Sequence, residues 1–96
     1  MWRWLKGRFG QDKASLLVKQ LLAQSGRLGL PARDSIIAQE YLDYTEWGLA
    51  FEHIVTRLFE YAIPLTSDFY EQVEVCAESM GMAPETYSIL LLLIKK

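Results

Sequence analysis

The stretch from Glu46 to Ala62 constrains the fold more than any other part of the chain. Its apolar side chains recur every three or four residues, which is the spacing of one face of an α-helix. They are Trp47, Ala50, Phe51, Ile54, Leu58 and Tyr61, with Val55, Phe59 and Ala62 in a second row beside them. A helix this apolar needs neighbours on several sides, so we expect it to be the buried centre of an all-α fold.

The ends of this central helix are also marked in the sequence. Thr45 is a suitable N-cap because its hydroxyl can accept a hydrogen bond from an amide of the first turn. Pro64 disfavours helical backbone at Ile63 and therefore predicts the end of the helix. Gly48 costs about 1 kcal/mol relative to alanine inside a helix, and we attribute its presence to a close contact with a neighbouring helix.

Start and stop signals predict four further helices. Asp12 and Gly26 bound the first, Thr66 caps the fourth and Pro84 opens the fifth. The five predicted helices span residues 12–25, 32–43, 46–62, 67–80 and 84–95. The connection between the second and third is so short that they should form a tight hairpin. We therefore expect one compact all-α bundle of five short helices over residues 1–96, with a buried central third helix and a loosely attached segment at 1–11.

The net charge of −2 hides a strong asymmetry along the chain. Residues 1–33 carry seven basic side chains and one acid, hence +6, whereas residues 34–94 carry eleven acids and one arginine, hence −10. An acidic body argues against nucleic-acid binding, which depends on Lys and Arg at the phosphates. It favours a basic partner, or it keeps a small protein soluble. The basic N-terminal segment leaves a nucleic-acid-binding regulator as a weaker alternative.

Compartment and chemistry are constrained by what the sequence lacks. No apolar run approaches the roughly 20 residues needed to span a bilayer, and no signal-peptide core follows the N-terminal charges. We therefore expect a cytoplasmic protein with no membrane partner. His53 and Cys76 are the single histidine and cysteine. Neither lies in a sequence pattern with the partner residues that a catalytic or metal site requires. The expectation is a binding module with no enzymatic activity, metal or cofactor.

Several sequence blocks resemble the MafI-type family of bacterial immunity proteins. They are Gly26-Arg27-Leu28, Tyr41-Leu42, Glu46-Trp47-Gly48-Leu49-Ala50, Leu58, Glu60, Ile63-Pro64-Leu65, Tyr70, Met80-Gly81-Met82, Pro84 and Tyr87. The resemblance covers about residues 26–90, and Ala83 departs from it where an Asp cap is usual. It implies a small helical protein that neutralises the toxin domain of a cognate polymorphic or contact-dependent toxin. Many such toxins are nucleases with basic surfaces.

An acidic immunity protein would use its carboxylates to cover such a surface. Three candidate partner-binding groups are predicted. They are Asp43 with Glu46 at the hairpin tip, Glu52 with Glu60 on the central helix, and Glu71, Glu74 and Glu78 on the fourth helix. The fourth helix is favoured because its acids form the most regular stripe. The alternative is a non-catalytic adaptor or homodimer, in which the apolar run Ile89 to Ile94 meets a second copy.

Overall fold

A computed structural model describes residues 2–95 of the chain, with side chains described from residue 13 onward. Its α-helices are α1 (Trp2–Leu28), α2 (Ala32–Asp43), α3 (Trp47–Glu60) and α4 (Ser67–Ser79), and two 3₁₀ helices follow at Pro84–Thr86 and Ser88–Leu93. The predicted all-α class is confirmed, since residues 2–95 contain no named strand. α2 packs mainly on α3, while α4 packs on α1, which also contacts α2 and α3.

The first helix is longer than the predicted 12–25. Backbone of residues 2–11 continues the helix, so Asp12 does not cap it, and Gly26 lies inside it. The helix stops at Gly29, whose φ of +123° is available to glycine because it has no Cβ. Leu30 N–H then donates to Ser25 C=O at 3.0 Å and closes the last turn. The side chains of residues 1–11 lie outside the described residues. The prediction that this segment is loosely attached therefore stays a prediction.

α3 forms the centre of the core, as predicted. Phe51, Ile54 and Leu58 are fully buried. They belong to one hydrophobic cluster with side chains from α1, α2, α4 and the second 3₁₀ helix, including Val18, Leu21, Ala38, Leu42, Val73 and Leu90. Large apolar side chains contribute about 1.5–3 kcal/mol each when fully buried, so this row of α3 joins the α2–α3 hairpin to α1 and the C-terminal segment.

The second apolar row of α3 is a correction to the prediction. Val55 is buried, but Phe59 is 37% exposed and Ala62 lies beyond the end of the helix. Phe59 shares an exposed row with Leu49, Glu52 and Thr56. α3 therefore has one solvent-facing side, because α1, α2 and the second 3₁₀ helix pack against its other sides.

The two ends of α3 also differ from the prediction. Thr45 does not cap the helix: its φ is +60°, and its hydroxyl donates to Tyr44 C=O at 2.6 Å. Glu46 takes the N-cap position, without a side-chain hydrogen bond to the first turn. At the other end the helix stops at Glu60, before Pro64 and two residues earlier than predicted.

Gly48 has a close neighbour, but the neighbour is not a helix. A Cβ added to Gly48 would lie 3.3 Å from Cε of Met82, which follows α4. That distance is tighter than an ordinary van der Waals contact, so the Met82 side chain would have to move slightly. The glycine thus provides room for a side chain from the connection after α4.

The start of α4 follows the prediction closely. Thr66 is the N-cap, and its Oγ1 accepts a hydrogen bond from Phe69 N–H at 3.0 Å. Phe69, Val73, Cys76 and Ala77 are buried on one face. The helix ends at Ser79, and Gly81 follows with a φ of +69°. This left-handed glycine is a common way to terminate a helix.

The C-terminal segment is not the α-helix predicted for 84–95. Two 3₁₀ helices take its place, and Leu90 is the buried residue of the second. Leu65 N–H donates to Leu93 C=O, and Leu65 C=O accepts from Lys95 N–H, both at 2.9 Å, in an isolated parallel bridge between Leu65 and Ile94. The bridge holds the segment beside the start of α4. Only one side of the run is buried, and Leu91 and Leu92 face solvent.

Candidate functional site

The fourth helix presents its acids as the sequence predicts. Glu71 and Glu78 are exposed, and Glu74 between them is half-buried. They lie opposite the buried face of α4 at about 100° per residue. Neither Glu71 nor Glu78 has a cationic group within 4 Å among the described side chains. Asp68, in the first turn of α4, is likewise exposed and without an ion pair there.

A groove between α1 and α4 gives part of this acidic surface a concave shape. α1 contributes Leu17, Gln20 and Gln24 to its lining, and α4 contributes Asp68, Glu71 and Val75. The cavity volume is about 440 Å³. A second section of about 190 Å³ adjoins it, sharing Gln24, Asp68 and Gln72 and adding Arg27, Leu28 and Phe69. We call the two sections together the α1–α4 groove.

The C-terminal half of the same stripe lies beside a pair of buried tyrosines. The Tyr70 and Tyr87 rings are 5.9 Å apart at 54°, a tilted arrangement that aromatic pairs favour. Burial raises the pKa of both phenols, and the nearby Glu74 carboxylate raises each further. Glu78 adds to this effect at Tyr87. Burial, with the nearby carboxylates adding to it, therefore raises the pKa of both phenols and disfavours phenolate at this contact.

The other predicted carboxylates lie on the α2–α3 hairpin, away from the α1–α4 groove. Asp43 accepts a hydrogen bond from Gln39 Nε2 at 2.9 Å, and Glu60 pairs with Arg57 Nη1 at 2.9 Å. Glu46 and Glu52 are exposed. The seven candidate residues thus occupy two packing units, α2 with α3 and α4 with α1. None of the hairpin carboxylates lines the α1–α4 groove, which takes Asp68 and Glu71 from α4.

A buried ionic cluster on the hairpin was missed by the sequence analysis. Asp34 is 0% exposed, and its Oδ1 lies 3.1 Å from His53 Nε2 and 3.3 Å from Arg57 Nε. Because a carboxylate has no proton to donate, we assign the proton of this contact to His53 Nε2. The Tyr41 ring lies 6.3 Å from the His53 ring. A buried carboxylate is tolerated only when paired in this way.

The sequence carries almost no signal for this cluster. Asp34 lies in the first turn of α2. Acids are common there because their negative charge interacts favourably with the helix dipole, and such acids usually face water. Its partners follow 19 and 23 positions later, so no local spacing connects them. Asp34 Oδ2 is also the one buried side-chain polar atom without a hydrogen-bond partner in the region with described side chains. The arrangement holds α2 and α3 together.

Among the described side chains, neither His53 nor Cys76 belongs to a catalytic constellation. His53 is half-buried in the ionic cluster, and Cys76 is buried in the core face of α4. Burial raises the pKa of the Cys76 thiol to about 12, which disfavours the nucleophilic thiolate. No group of three or more metal-ligating side chains converges within the described part of the chain. The absence of enzymatic activity stays a prediction.

Membrane-spanning helices and similarity to known proteins were also sought. Between residues 2 and 95, no helix combines the length and hydropathy needed to cross a membrane. No protein-family model matches the chain, and neither the curated proteins nor the solved structures gave a significant match.

Proposed function

We propose that this chain is a cytoplasmic immunity protein, which binds and neutralises the toxin domain of a cognate contact-dependent or polymorphic toxin. The MafI-type resemblance over about residues 26–90 suggests this role. The toxin domain would be basic and nuclease-like, and the chain would act without a cofactor or a catalytic step of its own.

The observation that carries the proposal is the unpaired acidic surface of α4. Asp68, Glu71 and Glu78 are exposed, with no cation within 4 Å among the described side chains. By contrast, Asp34 and Glu60 on the α2–α3 hairpin both pair with Arg57. Unpaired carboxylates beside apolar side chains such as Val75 suit the rim and anchor of a protein interface. Their charge would speed encounter with a basic partner.

Co-expression with a toxin domain tests the proposal. The domain to be used is the C-terminal domain of a toxin whose gene lies immediately upstream, so such a gene has to be sought first. We expect a tagged toxin domain to retain this chain during purification, and cells making both proteins to grow while cells making the toxin alone stop. Growth arrest despite good expression of this chain, with no complex recovered, would refute the immunity role.

The second candidate function is a homodimeric adaptor, and one observation favours it. Leu91 and Leu92 of the C-terminal 3₁₀ helix are exposed, Leu92 by 78%. Apolar side chains that project in this way are common where a second copy binds. Light scattering of the purified chain distinguishes the two functions. A dimer that Leu92→Gln converts to a monomer supports the adaptor, whereas a parent monomer at high concentration rejects it.

A further inference from the structure

We propose that the α1–α4 groove is the docking site for a basic, amphipathic segment of the partner protein. This inference rests on the proposed function, because it names the surface through which the immunity protein would hold its toxin. Binding of a basic, amphipathic peptide to the groove can be tested without the toxin.

The shape of the groove fits side chains of a protein segment. A volume of about 440 Å³ lies in the range of ligand-binding pockets, and the adjoining section extends it along both helices. An elongated groove between two helices is a recurring binding site for amphipathic peptides. The occupant should therefore run along α1 and α4 rather than insert end-on.

The chemistry of the groove selects the character of that segment. Leu17 is half-buried and Val75 is 52% exposed, so together they offer an apolar contact on opposite walls. Asp68 and Glu71, three residues apart on α4, project from the same wall as Val75. Two cationic side chains about one helical turn apart would pair with them, while an apolar side chain between α1 and α4 contacts Leu17 and Val75.

The remaining polar groups orient the segment. Gln20, Gln24 and Gln72 make no side-chain hydrogen bond to another described residue, so their amides can both donate and accept. Arg27 is the cation at the second section. It would repel a lysine or arginine and attract a carbonyl or carboxylate. The cationic part of the segment therefore lies over Asp68 and Glu71, and its less basic end lies towards Arg27.

Asp68 also has a structural role to be separated from binding. It stands in the first turn of α4, where a negative charge stabilises the helix dipole. Glu71 lies one turn further on and is less dependent on that effect. A Glu71→Gln variant therefore tests the groove with little change in stability, and Asp68→Asn serves as the second variant.

The experiment is a titration of the isotope-labelled full chain followed by NMR. The probe is a synthetic amphipathic helix of leucine and lysine, with a version carrying glutamine for lysine as the neutral control. We expect amide shifts at Leu17, Gln24 and Val75, and at least about tenfold weaker binding after Glu71→Gln with Asp68→Asn. The matched control is Glu40→Gln with Glu85→Gln, which removes the same charge from exposed positions elsewhere and should bind nearly as the parent does.

Two outcomes overturn the proposal. Equal weakening by both double variants would mean that the peptide senses only net charge, and shifts spread outside the groove would mean that it binds elsewhere. The toxin domain then separates this inference from the proposed function. If the toxin binds the parent and the groove variant equally, the groove is wrong while the immunity role stands. If the peptide binds the groove but no toxin is retained, the immunity role fails alone.

Discussion

The α2–α3 hairpin buries and pairs one of its carboxylates, whereas the acids of α4 in the α1–α4 pair lie at or near the surface. On the hairpin, Asp34 is completely buried, and Arg57 bridges it to Glu60. The acids of α4 make no ion pair with another described side chain, and its buried titratable residues, Tyr70 and Cys76, are neutral. The hairpin thus contains a buried ionic cluster, whereas the described carboxylates of α4 are not used in this way.

This difference separates stability from binding. A buried carboxylate needs its partners, so removing them should destabilise the fold. An exposed, unpaired carboxylate contributes little to stability and can be changed at small cost. We therefore expect hairpin charge variants to change the free energy of unfolding and α4 charge variants to change association with a partner.

The largest expected effect follows from removing Arg57. Arg57→Met leaves Asp34 buried with His53 as its remaining partner, and the unfolding free energy should fall by about 3 kcal/mol or more. Asp34→Asn should cost less, about 1–2 kcal/mol, because the Arg57 side chain is 36% exposed and can turn to water. Urea denaturation followed by circular dichroism measures both.

Glu60→Gln is the matched control for the Arg57 variant. It removes only the exposed contact of Arg57 and should cost about 0.5 kcal/mol or less. If Arg57→Met proved no worse than Glu60→Gln, the buried cluster would contribute nothing to the hairpin. The contrast between the two regions would then lose its main support.

Cys76 tests the other half of the contrast, the neutral interior of α4. Its pKa of about 12 in the fold, against about 9 when unfolded, leaves roughly a thousandfold less thiolate at pH 8. An aromatic disulfide reagent should therefore react slowly with the native protein and quickly in urea. Fast reaction without unfolding would show that the thiol is accessible.

The same pKa shift predicts an alkaline loss of stability. Between about pH 9 and pH 12 the unfolded chain loses the thiol proton while the folded chain keeps it. The unfolded state then binds fewer protons, so the unfolding free energy falls as pH rises through this range. Cys76→Ala should fall less steeply. Tyr70 and Tyr87 leave a residual slope of the same sign, since burial raises their pKa values too.

Helical periodicity predicted most of the fold because the core depends on it directly. The buried row of α3 and the buried face of α4 follow from spacing alone, and Thr66 follows from local cap chemistry. Features that depend on distant backbone were missed. The apolar run near Leu90 forms 3₁₀ helices beside a bridge to Leu65, a pairing 29 residues apart that no local pattern contains.

In the candidate site, too, local features were predicted and tertiary features were missed. The acids of α4 were predicted because exposure opposite an apolar face is a local property. The groove that shapes them needs α1 as its second wall, and its register against α4 is a tertiary feature. The pairing of Asp34 with His53 and Arg57 is tertiary for the same reason. Residue spacing finds faces, but it does not find which faces meet.

A further prediction compares acids of the two regions in toxin binding. Glu71→Gln, Glu74→Gln and Glu78→Gln together should slow association about tenfold and weaken its dependence on salt. Asp43→Asn, Glu46→Gln and Glu52→Gln remove the same charge from the hairpin and should have a smaller effect. Stopped-flow association at several salt concentrations measures both. Unchanged kinetics in the α4 variant would make that helix a solvated surface, and the binding face would have to be sought on the hairpin.

The smallest effects concern Thr45 and Thr66, which the sequence predicts as the N-caps of α3 and α4. Thr66 caps α4 by accepting from Phe69 N–H, so Thr66→Ala should cost about 1 kcal/mol, and Thr66→Ser should restore most of it.

Thr45 makes no such bond at the start of α3 and has a φ of +60°, which disfavours any residue with a Cβ. Thr45→Ala should therefore be nearly neutral. Thr45→Gly should stabilise the hairpin by a few tenths of a kcal/mol, because relief of the left-handed strain slightly exceeds the entropy that glycine adds to the unfolded chain. Paired urea titrations decide the matter. Equal costs for Thr45→Ala and Thr66→Ala would show that Thr45 caps α3 after all, and the two regions would then start their helices in the same way.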